Sequence, residues 1–174
     1  MSRFKDVVGH RDIIQYIQNS VQQKKVSHAY ILNGERGSGK KLLAHLFAMT
    51  LQCESNQSEP CGNCRSCKQA DGGNQPDIIT VTHEKPGSIG VEDIRQQINA
   101  DVMIKPYASP YKVYIVPGAD MMTVQAQNAL LKTIEEPPEY AVIFLLTENA
   151  ESLLPTIRSR CVMLKLRNVK QTLI

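Results

Sequence analysis

The stretch Ala29-Tyr30-Ile31-Leu32-Asn33-Gly34-Glu35-Arg36-Gly37-Ser38-Gly39-Lys40-Lys41 sets the reading of the whole chain. An apolar run, a glycine-rich turn and then the apolar pair Leu42-Leu43 predict a buried strand, a loop and a helix. The spacing from Gly34 through Gly39-Lys40 is that of a phosphate-binding P-loop. Glycines let the backbone curl around an anion with successive N–H groups inward, and the next helix presents its positive end to the same anion. Gly34, Gly37, Ser38, Gly39, Lys40 and Lys41 are therefore the candidate phosphate-side residues, with Lys40 placed to reach the outer phosphates. One position departs from the pattern. Lys41 stands where a serine or threonine hydroxyl would hold magnesium, so nucleotide binding is expected and metal-assisted hydrolysis is not.

Ahead of the P-loop, Ile13, Ile14, Ile17 and Val21 form an apolar stripe at helical spacing over residues 10–22, entered from an extended arm ending at Gly9-His10. His28 is read as structural. Behind the P-loop, a helix runs from Leu42 to about Leu51. Strands are expected at Asp77–Thr82, Tyr111–Val116, Ala141–Thr147 and Cys161–Leu166. Helices from Val91 to about Met103 and around Ala126–Ile134, the second stopped by Pro137-Pro138, separate them. Asp120 is taken as the N-cap of a helix from Met121. Strands alternating with helices predict an α/β fold, a parallel five-stranded sheet covered on both faces.

Cys53 and then Cys61-Gly62-Asn63-Cys64-Arg65-Ser66-Cys67 place four thiols in one short segment with two overlapping Cys-x-x-Cys steps. Zinc takes four soft ligands in a tetrahedron, and all-cysteine ligation suits a closed structural site. The intervening Glu54–Pro60 loop is polar, so metal binding would supply the local ordering free energy, roughly 10 kcal/mol. The competing reading is a set of free or redox-active thiols.

The chain has 174 residues, 42% of them hydrophobic, enough for one domain with a small inserted module at 52–68. Its formal net charge of +3 does not by itself indicate a nucleic-acid binder. No stretch has the length of a membrane span and the first residues have no apolar signal core, so no membrane is expected and the location is expected to be cytoplasmic. Five cysteines in that compartment are not expected to be disulfides.

Two further motifs give the pattern a family. Asn128-Ala129-Leu130-Leu131-Lys132-Thr133-Ile134-Glu135-Glu136-Pro137-Pro138 and Leu154-Pro155-Thr156-Ile157-Arg158-Ser159-Arg160-Cys161 stand in that order. With His28-Ala29-Tyr30, the P-loop and the four cysteines, they resemble the bacterial replicative clamp loader, the gamma/tau and delta-prime group of DNA polymerase III subunits in the AAA+ class. The resemblance covers nearly the whole chain. It implies an AAA+ P-loop domain over 1–174, without the lid and collar domains that such subunits carry next. It implies a hetero-oligomer with gamma/tau and delta subunits that handles the sliding clamp and primer-template DNA. It also implies that Arg160, in the Ser159-Arg160-Cys161 motif, reaches the ATP of a neighbouring subunit. A surface salt bridge is the other reading of Arg160, and Arg158 has no counterpart. Thr147 (or Glu148) falls at the family's nucleotide-sensing position, and Val8 with Val7 at its base-side apolar position.

The departures choose within the group. Hydrolysing members end the third strand in Asp-Glu, which supports magnesium and water; here Val116 is followed by Pro117-Gly118. With Lys41, this leaves Mg²⁺ without its usual ligands and resembles the non-hydrolysing, delta-prime side. A gamma/tau-type ATPase is the alternative. A zinc-lid nucleoside-monophosphate kinase would need lid arginines, of which only Arg65 is present, and a free-standing zinc DNA binder leaves the P-loop unexplained.

Overall fold

The computed structural model describes residues 3–55 and 57–167. Asn56 of the polar loop, and residues 1–2 and 168–174 of the expected 1–174 span, lie outside the described residues. The strands are β1 (Ala29–Asn33), β2 (Ile78–Thr80), β3 (Lys112–Val116), β4 (Ala141–Thr147) and β5 (Val162–Lys165). They form one parallel sheet in the order β2-β3-β4-β1-β5. β3 and β4 are buried along their whole length and β1 over all but its last residue, whereas the edge strands β2 and β5 are partly exposed. Continuous apolar runs are what a parallel sheet covered on both faces requires.

The period of two sorts the central strands between two cores. Ile31, Tyr114, Val116, Ile143 and Leu145 face α5 (Val124–Glu135) and the helical run from Val91. Tyr30, Leu32, Val113, Phe144 and Leu146 face α1 (Arg11–Gln22) and α2 (Lys40–Gln52). On that second face the rings of Tyr30, Phe47 and Phe144 pack with centroids 4.9–5.5 Å apart. The Tyr30 hydroxyl accepts the Ser27 N–H at 2.8 Å, and burial pushes its pKa up to about 12. His28, as expected, is structural: its Nδ1 lies 2.7 Å from the Ala141 carbonyl oxygen and ties β1 to β4. Among the described residues no helix is long and apolar enough to cross a membrane.

Three expectations need correcting. The helix expected over 91–103 is α4 (Val91–Ile94), then a wider π-helical stretch, Arg95–Ala100, then a 3-10 turn, Asp101–Met103. Over so short a run both windings keep Ile94, Ile98 and Val102 on the buried face, so periodicity could not distinguish them. Along the stretch, Asn99 Nδ2 donates to the Ala129 carbonyl at 2.9 Å and to Thr133 Oγ1 at 2.8 Å on α5.

Second, β2 is Ile78–Thr80, shorter than the expected Asp77–Thr82, and Asp77 is not a strand residue but a buried hub. Its carboxylate accepts the N–H groups of Tyr107, Ala108 and Ser109 at 2.7, 3.0 and 3.1 Å. Lys112 pins the other side of the same loop, donating to the carbonyls of Asp101 at 2.7 Å and Ile104 at 3.0 Å. Asp77→Ala orphans three N–H groups at once and is expected to destabilise the chain by about 3 kcal/mol. Asp77→Asn, which keeps one acceptor oxygen, should lose less. Urea unfolding of both variants checks the order, and equal stability of Asp77→Ala and wild type would refute it.

Third, Asp120 is not the N-cap of a helix from Met121. It sits inside a 3-10 turn, Ala119–Met121, and the cap of α5 is Thr123, whose Oγ1 accepts the Ala126 N–H at 3.1 Å.

Candidate functional site

The strand order places a crevice where the sheet changes direction. The chain leaves β1 for the far edge and later crosses over it from β4 to β5, so the carboxyl ends of β1 and β4 open beside one another. A cavity of about 590 Å³ lies there, bounded by the P-loop and by the ends of β3 and β4.

The P-loop is tied to β4 by the Gly34 N–H, which donates to the Thr147 carbonyl at 3.0 Å. Gly34 must be glycine: a β-carbon there would meet Ser38 Oγ at 2.6 Å and Leu166 Cβ at 3.0 Å. Gly37 and Gly39 line the cavity with φ of 83° and 93°, a left-handed backbone that side chains resist. Ser38 between them is buried, its carbonyl turned to His10 Nε2 at 2.7 Å. Lys40 opens α2 and lines the cavity; its Nζ donates to the carbonyls of Gly34 and, at 3.1 Å, Glu35. Burial lowers its pKa, while the carboxylates of Glu148 and Asp120 pull it back up. Lys41 is exposed on the cavity wall.

Thr147 and Glu148 both line the cavity. Thr147 is buried; its hydroxyl donates to Asp120 Oδ1 at 2.8 Å and accepts the Asn149 N–H at 3.0 Å. Asp120 is thus the functional-site residue that sequence reasoning misplaced. A threonine at 123, itself a capping type and three residues before Ala126, is the signal that frees Asp120 for the cavity. Pro117 and Gly118 occupy the end of β3 on the cavity wall, and neither offers a carboxylate. Val8 does not join this site: it is half exposed and outside the cavity wall, while Val7 packs against the core. The wall carries cations from the P-loop side and carboxylates from the β3 and β4 side. That arrangement can hold a phosphate chain against N–H groups and lysines.

The four cysteines lie at the other end of α2, about 20 Å along its axis from Lys40. Their sulfurs all fall within 4.8 Å of one another, so the cluster could hold a metal ion. Cys53 follows α2, the Cys61–Cys64 turn passes through Gly62 at φ 77°, and Cys64 caps α3 (Arg65–Asp71) by accepting the Cys67 N–H at 3.4 Å. Cys53 accepts the Cys61 N–H at 3.4 Å, and Cys61 accepts those of Asn63 and Cys64 at 3.4 and 3.2 Å. These donors pull the Cys61 thiol down to about 6, whereas burial pushes the Cys67 thiol up. The donor set fits a tetrahedral, sulfur-preferring ion. Cys161 is apart from the cluster, its thiol pushed up to about 12 by burial.

Arg160 is not brought to the cavity. It lies in the turn between α6 (Pro155–Arg158) and β5, two residues before Val162, which pairs with Tyr30 near the amino end of β1. Gly34, at the opposite end of β1, is four residues beyond Tyr30, about 13 Å along the strand. The side chain is half exposed, with one ion pair to Glu135 at 3.7 Å, a surface pair of little energetic weight. Arg158 is engaged inside the chain, donating to the Leu153 carbonyl and the Glu151 carboxylate, both at 3.2 Å.

Comparison with known proteins agrees with this architecture. The DNA polymerase III subunit tau of Bacillus subtilis (strain 168) is 42% identical over 160 residues, 91% of this chain and 28% of that protein. The subunit delta' of the same organism is 37% identical over 150 residues, 86% of this chain and 45% of that protein. A solved structure described as a DNA polymerase III gamma subunit-related protein from Thermotoga maritima superposes with a TM-score of 0.63 at 29% identity, covering 88% of this chain and 45% of that one. The Thermotoga maritima RuvB Holliday junction branch migration motor, at 16% identity, has a TM-score of 0.57 over 94% of this chain and 46% of its own, and shares the fold. This chain spans less than half the length of each of these proteins. The family described as "DNA polymerase III, delta subunit" matches residues 9–170, and the chain belongs to it.

Proposed function

We propose that this chain is a non-hydrolysing, delta-prime-type subunit of a clamp loader. In this reading it helps load the sliding clamp onto primed DNA in the cytoplasm, in a hetero-oligomer with gamma/tau and delta subunits. It binds ATP or another nucleotide at the P-loop, holds a structural zinc at Cys53, Cys61, Cys64 and Cys67, and offers Arg160 to a neighbour's ATP. The observation that carries the reading is the cavity wall itself: Lys41, Pro117 and Gly118 stand where a hydrolysing site needs a hydroxyl and two acids. The position of Arg160 off the wall of its own P-loop cavity supports a role across an interface.

A gamma/tau-type motor is the second reading, favoured by the 42% identity to a tau subunit. ATP turnover at this chain's P-loop in an assembled complex, with a neighbour's arginine present and the other P-loops inactivated, separates the two. No turnover above background is expected, and a rate of roughly 1 per second, within the usual range of competent enzymes, would establish the motor instead. Lys41→Thr alone should stay inactive, because Pro117 and Gly118 still leave metal and water without a carboxylate.

A further inference from the structure

His10 carries an unusual backbone. Its φ of 57° and ψ of 29° lie in the left-handed region, directly after Gly9 at φ 78°. A residue with a β-carbon is held there only when its surroundings require it. Here the requirement is visible on both sides of the residue. Its carbonyl accepts the Ile14 N–H at 2.9 Å, closing the first turn of α1. Its ring crosses to the P-loop, where Nε2 lies 2.7 Å from the Ser38 carbonyl oxygen, 28 positions later. A carbonyl only accepts, so Nε2 carries the proton. The arm behind it is anchored by Phe4, which is 3% exposed.

The Ser38 carbonyl belongs to the peptide that leads into Gly39, and no peptide in the described chain is cis. In a trans peptide the C=O and the following N–H point in opposite directions. Holding the Ser38 oxygen on His10 therefore turns the Gly39 N–H to the opposite side. Gly39 lines the cavity, and with no β-carbon to restrict φ it lets that peptide adopt more than one orientation unless something fixes it.

We propose that His10 is a positioning residue for bound phosphate: it clamps the Ser38–Gly39 peptide so that the Gly39 N–H faces the anion. This rests on the nucleotide-binding reading of the P-loop. It goes beyond that reading by assigning part of the affinity to the N-terminal arm, outside the P-loop segment.

The test uses the full chain and ATP in excess EDTA, with binding measured by isothermal titration and stability by thermal unfolding. His10→Gly removes the ring and relieves the backbone, so the variant should fold with an unchanged or higher Tm. Its Kd should nevertheless rise about tenfold, the weight of one lost hydrogen bond. His10→Gln, whose amide nitrogen reaches as far as Nε2, should recover most of the affinity, and His10→Leu should not. Hydrogen exchange at the Gly39 amide should be faster in His10→Gly than in wild type. Wild-type affinity in His10→Gly would overturn the role of His10 while leaving nucleotide binding intact. Absence of binding by the wild type would overturn the nucleotide reading and this proposal with it.

Discussion

Arg160→Ala, placed in an assembled complex, is expected to leave this chain folded and its own nucleotide affinity unchanged while the neighbouring subunit's ATP turnover falls. Among the described residues the side chain is half exposed and pairs only loosely with Glu135. In the proposed trans role, its loss removes a cation from the transition state of phosphoryl transfer next door, where arginine fingers contribute about 10³–10⁵ in rate. At the affected site the loss should approach that range. In the whole complex the fall is smaller, by the share of turnover that other sites carry. Arg160→Lys should rescue poorly, since an ammonium cannot match two phosphate oxygens with a planar fork. Arg158→Ala makes an informative contrast. Arg158 fastens α6 to Leu153 and Glu151, so its substitution should act on this chain's stability rather than the neighbour's rate. Turnover of the assembled complex, with subunit stoichiometry verified, checks these outcomes. A wild-type rate for Arg160→Ala would reduce the residue to a surface ion pair.

Removing metal from the cysteine cluster is the second large effect. Metal analysis of the purified chain should find about one zinc, and a chelator strong enough to extract it should unfold the segment from Cys53 through α3. Free energy of the order of 10 kcal/mol accompanies structural zinc binding in small modules. Among the described residues the local core of this segment is small: Met49, Cys53, Cys67 and Ala70, with Ile78 packed against it. The disturbance should travel further than the module. Gln75 Nε2 donates to Ser66 Oγ at 2.8 Å in α3 and to Ser109 Oγ at 2.9 Å in the loop that Asp77 holds. Hydrogen exchange at Tyr107–Ser109 should therefore quicken on chelation, while β1, β3 and β4 stay protected. Cys64→Ser should reproduce both effects. A metal-free preparation that keeps its stability and shows four reactive thiols would contradict the assignment.

The parts of this molecule that were legible in the sequence are those where local chemistry has one outcome. The apolar run at Ala141–Thr147 could only be a fully buried strand, and its bounds match the structure. The P-loop glycines and the cysteine spacing likewise specify backbone shape and ligand proximity directly. What stayed hidden depends on partners distant in sequence. Asp77 looks like the first residue of a strand until Tyr107, Ala108 and Ser109 arrive to bond it. Asp120 looks like a cap until Thr147 meets it from β4. His10 looks like the end of a turn until the P-loop folds back onto its ring. The widened helix at 95–100 is hidden for another reason, since its apolar spacing is the same in either winding.

The central claim is that the P-loop cavity holds nucleotide without the metal that hydrolysis requires. In the proposed reading Lys41 is the reason: an ammonium where a hydroxyl would ligate magnesium would neutralise phosphate charge itself and repel a divalent ion. The direct measurement is an isothermal titration of the chain with ATP, once with excess EDTA and once with excess magnesium. The account predicts binding in EDTA that magnesium leaves unchanged or weakens, and Lys41→Thr should shift the preference toward the magnesium complex. Binding that appears only with magnesium, or no binding under either condition, would contradict it.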